Sequence, residues 1–331
     1  MASVFQFRAP LPSKLRTKPG PSRLPEIPAH FDIQGHRGAR GLRPENTLPS
    51  FDHAIALGVT TLELDTVITR DGVVVVCHNP VLSPRLCLSP QGNPLPRRPR
   101  LFIKNLTLAE VQAFDCGSLN PHPSQFPQQK RVPGACIPTL QEVIELAERR
   151  NSSIRYNIES KVNPLRPRDT PGPRVHAEKI VALIEQNDLV ERASVQSFDW
   201  RVLRAVKQLN PQIQTGALIR YTRGRPGTLK AALGRPSPFL AGLNFSRFRG
   251  NVAALLQAAG FIDRYSPNYE TLLPHSRNFL QPVQEIQQAG FPVIPWTVND
   301  VATMEMLLSL GVDGIITDFP DVLLSLIQRA V

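Results

Sequence analysis

Carboxylates two residues apart on a strand lie on the same face, and the segment TLELDTVIT over 61–69 places Glu63 and Asp65 in that relation. Two such groups inside a protein resist joint ionisation unless a cation lies between them. The pair therefore points to a hard divalent metal with oxygen ligands. A third carboxylate, Glu159, falls in the run RYNIESK over 155–161, where alternation puts Asn157, Glu159 and Lys161 on one face. Glu159 completes a metal site on this reading, and Lys161 meets an anion. Formal charges on the three carboxylates, one divalent ion, Arg37, Lys161 and a diester monoanion cancel, as burial requires.

His36 and Arg37 end the first expected strand at GHRG over 35–38, a pairing that suits an acid or base beside a phosphate clamp. Asp71-Gly72 signals a two-residue hairpin turn. With that turn Arg70 pairs with Val73, His78 stands opposite Asp65, and Cys77 points away. Trp296 is read either as a ring that stacks on substrate or as barrel wall. Gly314 and Asp318 are read as structural, and His30, His53, His122, His176 and His275 carry no assigned role.

The elements that must position these groups alternate β-branched runs with helical patterns from about residue 33 onward, the sign of parallel βα units. Eight barrel strands are expected near 33–37, 61–66, 154–159, 193–197, 213–219, 262–266, 292–297 and 313–317, with 240–245 as the other candidate for the sixth. This is an α/β chain, a (β/α)8 TIM-type barrel, whose catalytic groups sit at the C-terminal ends of its strands. Helices are expected from Thr47 to Leu57 before Gly58, from Leu140 to Arg149 under a Thr139–Glu142 capping box, and from Asn299 or Asp300 to Leu310.

Residues 79–138, after the hairpin that follows the second strand, break this rhythm, with one helical stretch from Thr107 to Phe114. A long Pro-rich insertion of this kind is a functional loop or small subdomain, here expected over the barrel mouth. The loop 220–239 is a second excursion. Residues 1–31 are expected to be a Pro-rich, basic and flexible head, and 32–331 the barrel domain, with the insertion at about 79–138.

Of the 331 residues, 38 are Lys or Arg against 27 Asp or Glu, and the formal charge of +11 favours phosphate-bearing molecules. Nucleic acid is excluded as a partner, since no recognition helix, stacking platform or Cys/His finger accompanies the charge. The four cysteines show no metal-binding spacing; free thiols, or one disulfide within the insertion, fit them. No run reaches the roughly 18 apolar residues of an integral membrane segment, and the head lacks the apolar core of a secretory signal. The expected compartment is cytoplasmic, or periplasmic or secreted if the start is mis-assigned. The oligomeric state is not readable.

HRGARGLRPENT, the ELD of the second strand, CHNP, NIESK, VQSFDW, PWTVND and GVDGIITDFP occur in that order between residues 36 and 320. Together they resemble the glycerophosphodiester phosphodiesterase family over nearly the whole chain. The resemblance implies a barrel like that of phosphatidylinositol-specific phospholipase C, one divalent metal ion, Ca²⁺ or Mg²⁺, and a small-molecule glycerophosphodiester substrate. It makes His36 and His78 the acid–base pair and Glu63, Asp65 and Glu159 the metal ligands. Arg37 and Lys161 become phosphate contacts, with Glu45 and Asn46 in support and Glu45 either near the metal or holding Arg37. Family members carry His-Asp where this chain has His78-Asn79. The implied reaction is hydrolysis to glycerol 3-phosphate and an alcohol through a cyclic phosphate. The alternatives are a phospholipase D-like lyase acting on lysophospholipid or sphingomyelin, and a non-catalytic phosphate-ligand binding protein.

Overall fold

A computed structural model describes residues 27–28, 30–230 and 236–330; the expected basic head therefore lies almost wholly outside the described residues. Among the described residues eight strands are formed: β1 (Asp32–His36), β2 (Thr61–Ile68), β3 (Val74–Val76), β4 (Arg155–Ser160), β5 (Ala193–Ser197), β6 (Gln214–Ile219), β7 (Arg264–Pro267) and β8 (Gly314–Thr317). Seven run parallel in the order β7-β6-β5-β4-β2-β1-β8, and β3 pairs antiparallel with β2. The gap between β7 and β8 is filled by the segment expected as the seventh barrel strand. Ile294 and Trp296 donate backbone hydrogen bonds to β7, at 2.9 and 3.0 Å from Tyr265 O and Pro267 O. On the other side Val298 donates to Ile316 O and Ile316 donates to Pro295 O, both at 3.0 Å. Pro292 and Pro295 have no N–H to give, so the ladder here consists of separate bridges. The sixth barrel strand is β7, as first expected; 238–240 and 245–248 form short 3-10 turns instead.

Alternation along the strands sorts the core. Ile33, Leu62, Leu64, Ile158 and Val195 are buried in the large apolar core, which also holds helix residues such as Phe51, Ile144, Ile180 and Leu203. Gln34, Asn157, Ser194 and Gln196, on the alternate positions, are buried polar residues. Three of them are linked: Asn157 Nδ2 donates to Gln34 Oε1 at 2.7 Å, Gln34 Nε2 donates to Asp32 Oδ2 at 2.8 Å, and Ser194 Oγ donates to Asn157 Oδ1 at 3.3 Å. This polar network leads up to the carboxylates at the mouth.

Helix ends follow the sequence signals. Thr139 and Glu142 close a capping box, and Gly58 ends the helix Leu48–Leu57 in the left-handed region at φ 96°. Asp300, rather than Asn299, caps the helix Val301–Ser309, accepting from Thr303 N–H at 2.9 Å. The insertion has an apolar core of its own, with Leu82, Leu95, Ile103, Val111 and Ile137 packed on Val67 and Val75 of the hairpin. Cys87 and Cys116 are joined by a disulfide inside it, while Cys77 and Cys136 are free thiols.

One element of this core titrates. His176, on the helix Pro173–Gln186, is fully buried with Nδ1 3.1 Å from Ser160 Oγ, and its Nε2 has no partner among the described residues. Burial lowers its pKa from 6.5 to about 4. The unfolded imidazole takes up its proton near 6.5 and the folded one only near 4, so stability is complete above pH 6.5. It falls as pH drops from there towards 4, by at most about 3 kcal/mol from this group. Urea unfolding of His176→Gln should therefore lose less stability between pH 7 and 4.5 than the parent protein. An identical pH slope for both would contradict this.

Candidate active site

The first turn of chain after β1 is built by its glycines. A Cβ on Gly35 would collide with Gly38 O, and Gly38 itself lies at φ 87°, hard against Ser50. Arg37 between them is held at φ 52°, a sparsely populated conformation for a side chain of its kind. It aims its backbone N–H at Glu63 Oε2, 3.0 Å away. Asn46, also left-handed, accepts this geometry more readily and donates from Nδ2 to Asp65 Oδ2 at 2.8 Å.

Ligand oxygens of Glu63, Asp65 and Glu159 lie within 4.8 Å of one another at the mouth end of β2 and β4, and all three residues are buried. Lys161 Nζ stands 2.6 Å from Glu159 Oε1 and 3.4 Å from Asp65 Oδ1. Arg37 pairs with Asp65 through Nε at 3.0 Å and with Glu45 through Nη1 at 2.7 Å, so Glu45 is found holding Arg37. Arg40 Nε takes the other Glu45 oxygen at 2.7 Å. Gln196 Nε2 donates to Glu63 Oε1 at 2.8 Å.

These groups are short of positive charge. Glu45, Glu63, Asp65, Glu159 and Asp318 face Arg37, Arg40 and Lys161, leaving two negative charges with neutral histidines. One divalent ion would neutralise them. The carboxylates respond accordingly: burial, then Asp65 and Glu159, push Glu63 well above the usual range, and burial also raises Glu159. Burial acts on Asp65 too, but Arg37 and Lys161 overcome it and hold that carboxyl well below its ordinary value. Asp65 Oδ1 is buried and accepts no hydrogen bond among the described residues. With Lys161 Nζ 3.4 Å away as its ion-pair contact, that oxygen amid three converging acids fits a hard cation, so the triad could bind a metal.

His36 Nδ1 lies 2.6 Å from Asp318 Oδ1, and its Nε2 is 3.9 Å from Glu63 Oε2. Burial lowers the His36 pKa, and Asp318 opposes that shift. Asn299 fixes Asp318 in turn, donating from Nδ2 to Oδ2 at 2.7 Å and accepting the Asp318 N–H at 3.0 Å. Asp318 is thus more than the structural residue the sequence reading made it. A carboxylate holding one imidazole nitrogen fixes the tautomer and presents the other. The available signal was its place at the end of the last strand, the mirror of His36 at the end of the first. Arg40, Gln196 and Asn299 were also not singled out as site residues, although each lies inside a motif of the resemblance, HRGARG, VQSFDW and PWTVND.

The hairpin differs from expectation by one residue. Thr66, Val67 and Ile68 oppose Val76, Val75 and Val74, and Thr69 N–H bonds Val73 O across a three-residue turn. Cys77, not His78, continues opposite Asp65, whose carbonyl accepts the Cys77 N–H at 2.9 Å. Cys77 consequently does not point away from the cluster: burial, with Glu45 and Asp65 close by, pushes its thiol up to about 12. His78 still reaches the site because β3 ends at Val76. It has Asn79 Oδ1 3.0 Å from Nδ1, and burial, with Lys161 and Arg37 nearby, lowers its pKa to about 3.

A cavity of about 560 Å³ opens above Glu159, Lys161 and His78. Trp296 stands one layer behind it, donating from Nε1 to Ser266 O at 2.8 Å and packing edge-to-face on Phe198, which lines the cavity. The insertion contributes Asn79 to Val81 and Arg100 to the rim, and the loop 220–239 contributes Arg220 and Phe239 among others. Among the described residues no helix is long and apolar enough to cross a membrane.

Comparison with known proteins agrees with this geometry. A Caldanaerobacter subterraneus subsp. tengcongensis glycerophosphodiester phosphodiesterase is 27% identical over 297 residues, 90% of this chain and 98% of its own length. One from Bacillus altitudinis is 28% identical, over 87% of this chain and 95% of its own. A crystal structure of a provisionally assigned glycerophosphoryl diester phosphodiesterase from Silicibacter pomeroyi DSS-3 superposes with a TM-score of 0.77 at 27% identity, covering 92% of this chain and 94% of that one. The sequence model described as the glycerophosphoryl diester phosphodiesterase family matches residues 36–322. On a match of that extent, the chain belongs to the glycerophosphoryl diester phosphodiesterase family.

Proposed function

We propose that the chain hydrolyses small glycerophosphodiesters to glycerol 3-phosphate and an alcohol, using a divalent cation, Ca²⁺ or Mg²⁺. The observation that carries this reading is the buried convergence of Glu63, Asp65 and Glu159 beside Lys161, Arg37 and a carboxylate-backed His36. Glu63, Asp65 and Glu159 would hold the ion, which when bound polarises a phosphoryl oxygen. Arg37 and Lys161 meet the phosphate, with Glu45 and Asn46 fixing Arg37 and Asp65 in place. Trp296 acts from behind, setting Phe198 and Arg220.

Asp318 favours protonation of His36, so His36 Nε2 is the base that takes the proton of the glycerol 2-hydroxyl. That oxygen bonds to phosphorus as the bond to the departing alcohol breaks. His78, which lines the cavity on the open side, gives the alcohol its proton. The diester anion offsets Lys161 and Arg37 and so raises the affinity of His78 for that proton. In the second half His78 removes a proton from water, whose oxygen attacks phosphorus as the bond from phosphorus to the 2-oxygen breaks, and His36 returns its proton to that 2-oxygen. One water is consumed. The chain is expected to release glycerol 3-phosphate from glycerophosphocholine or glycerophosphoethanolamine with Ca²⁺ or Mg²⁺ present and to stop in chelator. Release at an undiminished rate in chelator would defeat the metal assignment.

A further inference from the structure

Beyond the reacting groups, the cavity has a charged outer wall that the reaction itself does not use. Arg100 reaches it from the insertion, Arg166 from the loop after β4, and Arg220 and Lys230 from the loop after β6. Among the described residues Asp169 is the one carboxylate on this outer part. These four cations come from three separate segments of the chain and meet at one opening.

Exposed basic side chains are common on a chain with a formal charge of +11, and most such groups simply face water. Two features distinguish these. The first is pairing: among the described residues the side chains of Arg100 and Arg220 have aromatic partners only, Phe102 at 4.9 Å and Trp296 at 5.4 Å, and form no ion pair. The second is which aromatic surfaces remain. A quaternary ammonium such as choline binds on ring faces. Of the rings lining this mouth, Phe198 faces Lys161 at 6.0 Å, with Trp296 behind it facing Arg220, and Phe239 has no cation over it among the described residues. A cationic leaving group would find the Phe239 ring but would meet the like charge of Arg100, Arg166, Arg220 and Lys230 around it.

We infer that the outer cavity is a leaving-group subsite for an alcohol that bears negative charge, such as a phosphate or carboxylate. Arg100, Arg166 and Arg220, with Lys230, are its specificity determinants. Guanidinium groups suit this task because each offers several donors in a planar fork to phosphate or carboxylate oxygens. His78 stands where the subsite meets the reacting centre, so an alcohol drawn into it leaves beside the acid. The inference rests on the phosphodiesterase reading above and adds to it a charge preference in the leaving half of the substrate.

The test compares three diesters that share the glycerol 3-phosphate half: glycerophosphocholine, glycerophosphoglycerol, and glycerophosphoglycerol carrying a terminal phosphate. At low ionic strength kcat/KM should rise in that order, the last exceeding the first by at least about tenfold, the lower end of what a focused field contributes. Added NaCl at about 0.5 M should narrow the ratio, since these charges are exposed and screened. The combined variant Arg100→Gln, Arg166→Gln, Arg220→Gln, checked for an unchanged thermal transition, should narrow it as well. Should the variant misfold, the salt arm and the charge series on the parent protein still decide. Turnover of all three at similar kcat/KM, or fastest turnover of glycerophosphocholine, overturns the subsite and leaves the phosphodiesterase standing. No turnover of any of them overturns both.

Discussion

Glu63→Gln, Asp65→Asn and Glu159→Gln each give a folded protein that binds less divalent cation and turns over glycerophosphodiester at least about a hundredfold more slowly, the scale of losing one preorganised electrostatic contact. The expectation follows from the surplus of negative charge at the mouth and from Asp65 Oδ1, buried without a hydrogen bond. Glu63→Gln also removes a repulsive neighbour from a carboxyl that burial, Asp65 and Glu159 push up, so its stability should hold or rise in the metal-free state. That combination separates a metal site from an ion-pair network. If the triad served only to pair with Lys161 and Arg37, Asp65→Asn and Glu159→Gln would strand a buried cation and lower the melting temperature, and all three substitutions would leave metal content unchanged. Metal analysis of the purified variants beside their thermal transitions distinguishes the two.

A glycerophosphodiester that lacks its 2-hydroxyl should bind and yet react at least about a hundredfold more slowly, because an oxygen held beside phosphorus loses its large effective concentration. His36→Ala should lower the rate on the ordinary substrate by roughly two to four orders of magnitude. On the 2-deoxy substrate the same change should have little further effect, since there is no 2-hydroxyl proton left to remove. Asp318→Asn should give a smaller loss of the same kind, as the bond that fixes the His36 tautomer weakens. Normal turnover of the 2-deoxy diester would exclude the cyclic phosphate and place the attack on water.

The parts of this site that were legible in the sequence are those governed by local periodicity. Alternation alone put Glu63 with Asp65 and Glu159 with Lys161, and the barrel made of such strands followed from their rhythm. The His78 register was missed for a reason outside that rule. Asp71 accepts hydrogen bonds from Thr69 Oγ1 at 2.5 Å and from Leu108 N–H at 3.1 Å, and Gly72 sits at φ 80°. The turn is thereby anchored to the insertion and opens to three residues, a contact 37 positions away that a dipeptide signal cannot contain. Asp318 lay further still, 282 residues from the histidine it holds. Read alone, TDFP offers only an acid before a helix; closure of the barrel between β8 and β1 is what makes it a partner of His36. The segment 292–297 shows the converse. Its prolines weaken the strand by depriving it of donors, but the neighbouring ladders supply enough bonds to seat it in place.

The identity of the phosphorus-containing product tests the central claim most directly, since it reports which bond to phosphorus this constellation breaks. Phosphorus NMR of the purified chain with glycerophosphocholine and Ca²⁺ or Mg²⁺ should show the diester resonance replaced by that of glycerol 3-phosphate, with choline released in equal amount. Accumulation of phosphocholine, or a diester signal that persists with metal present, would contradict it.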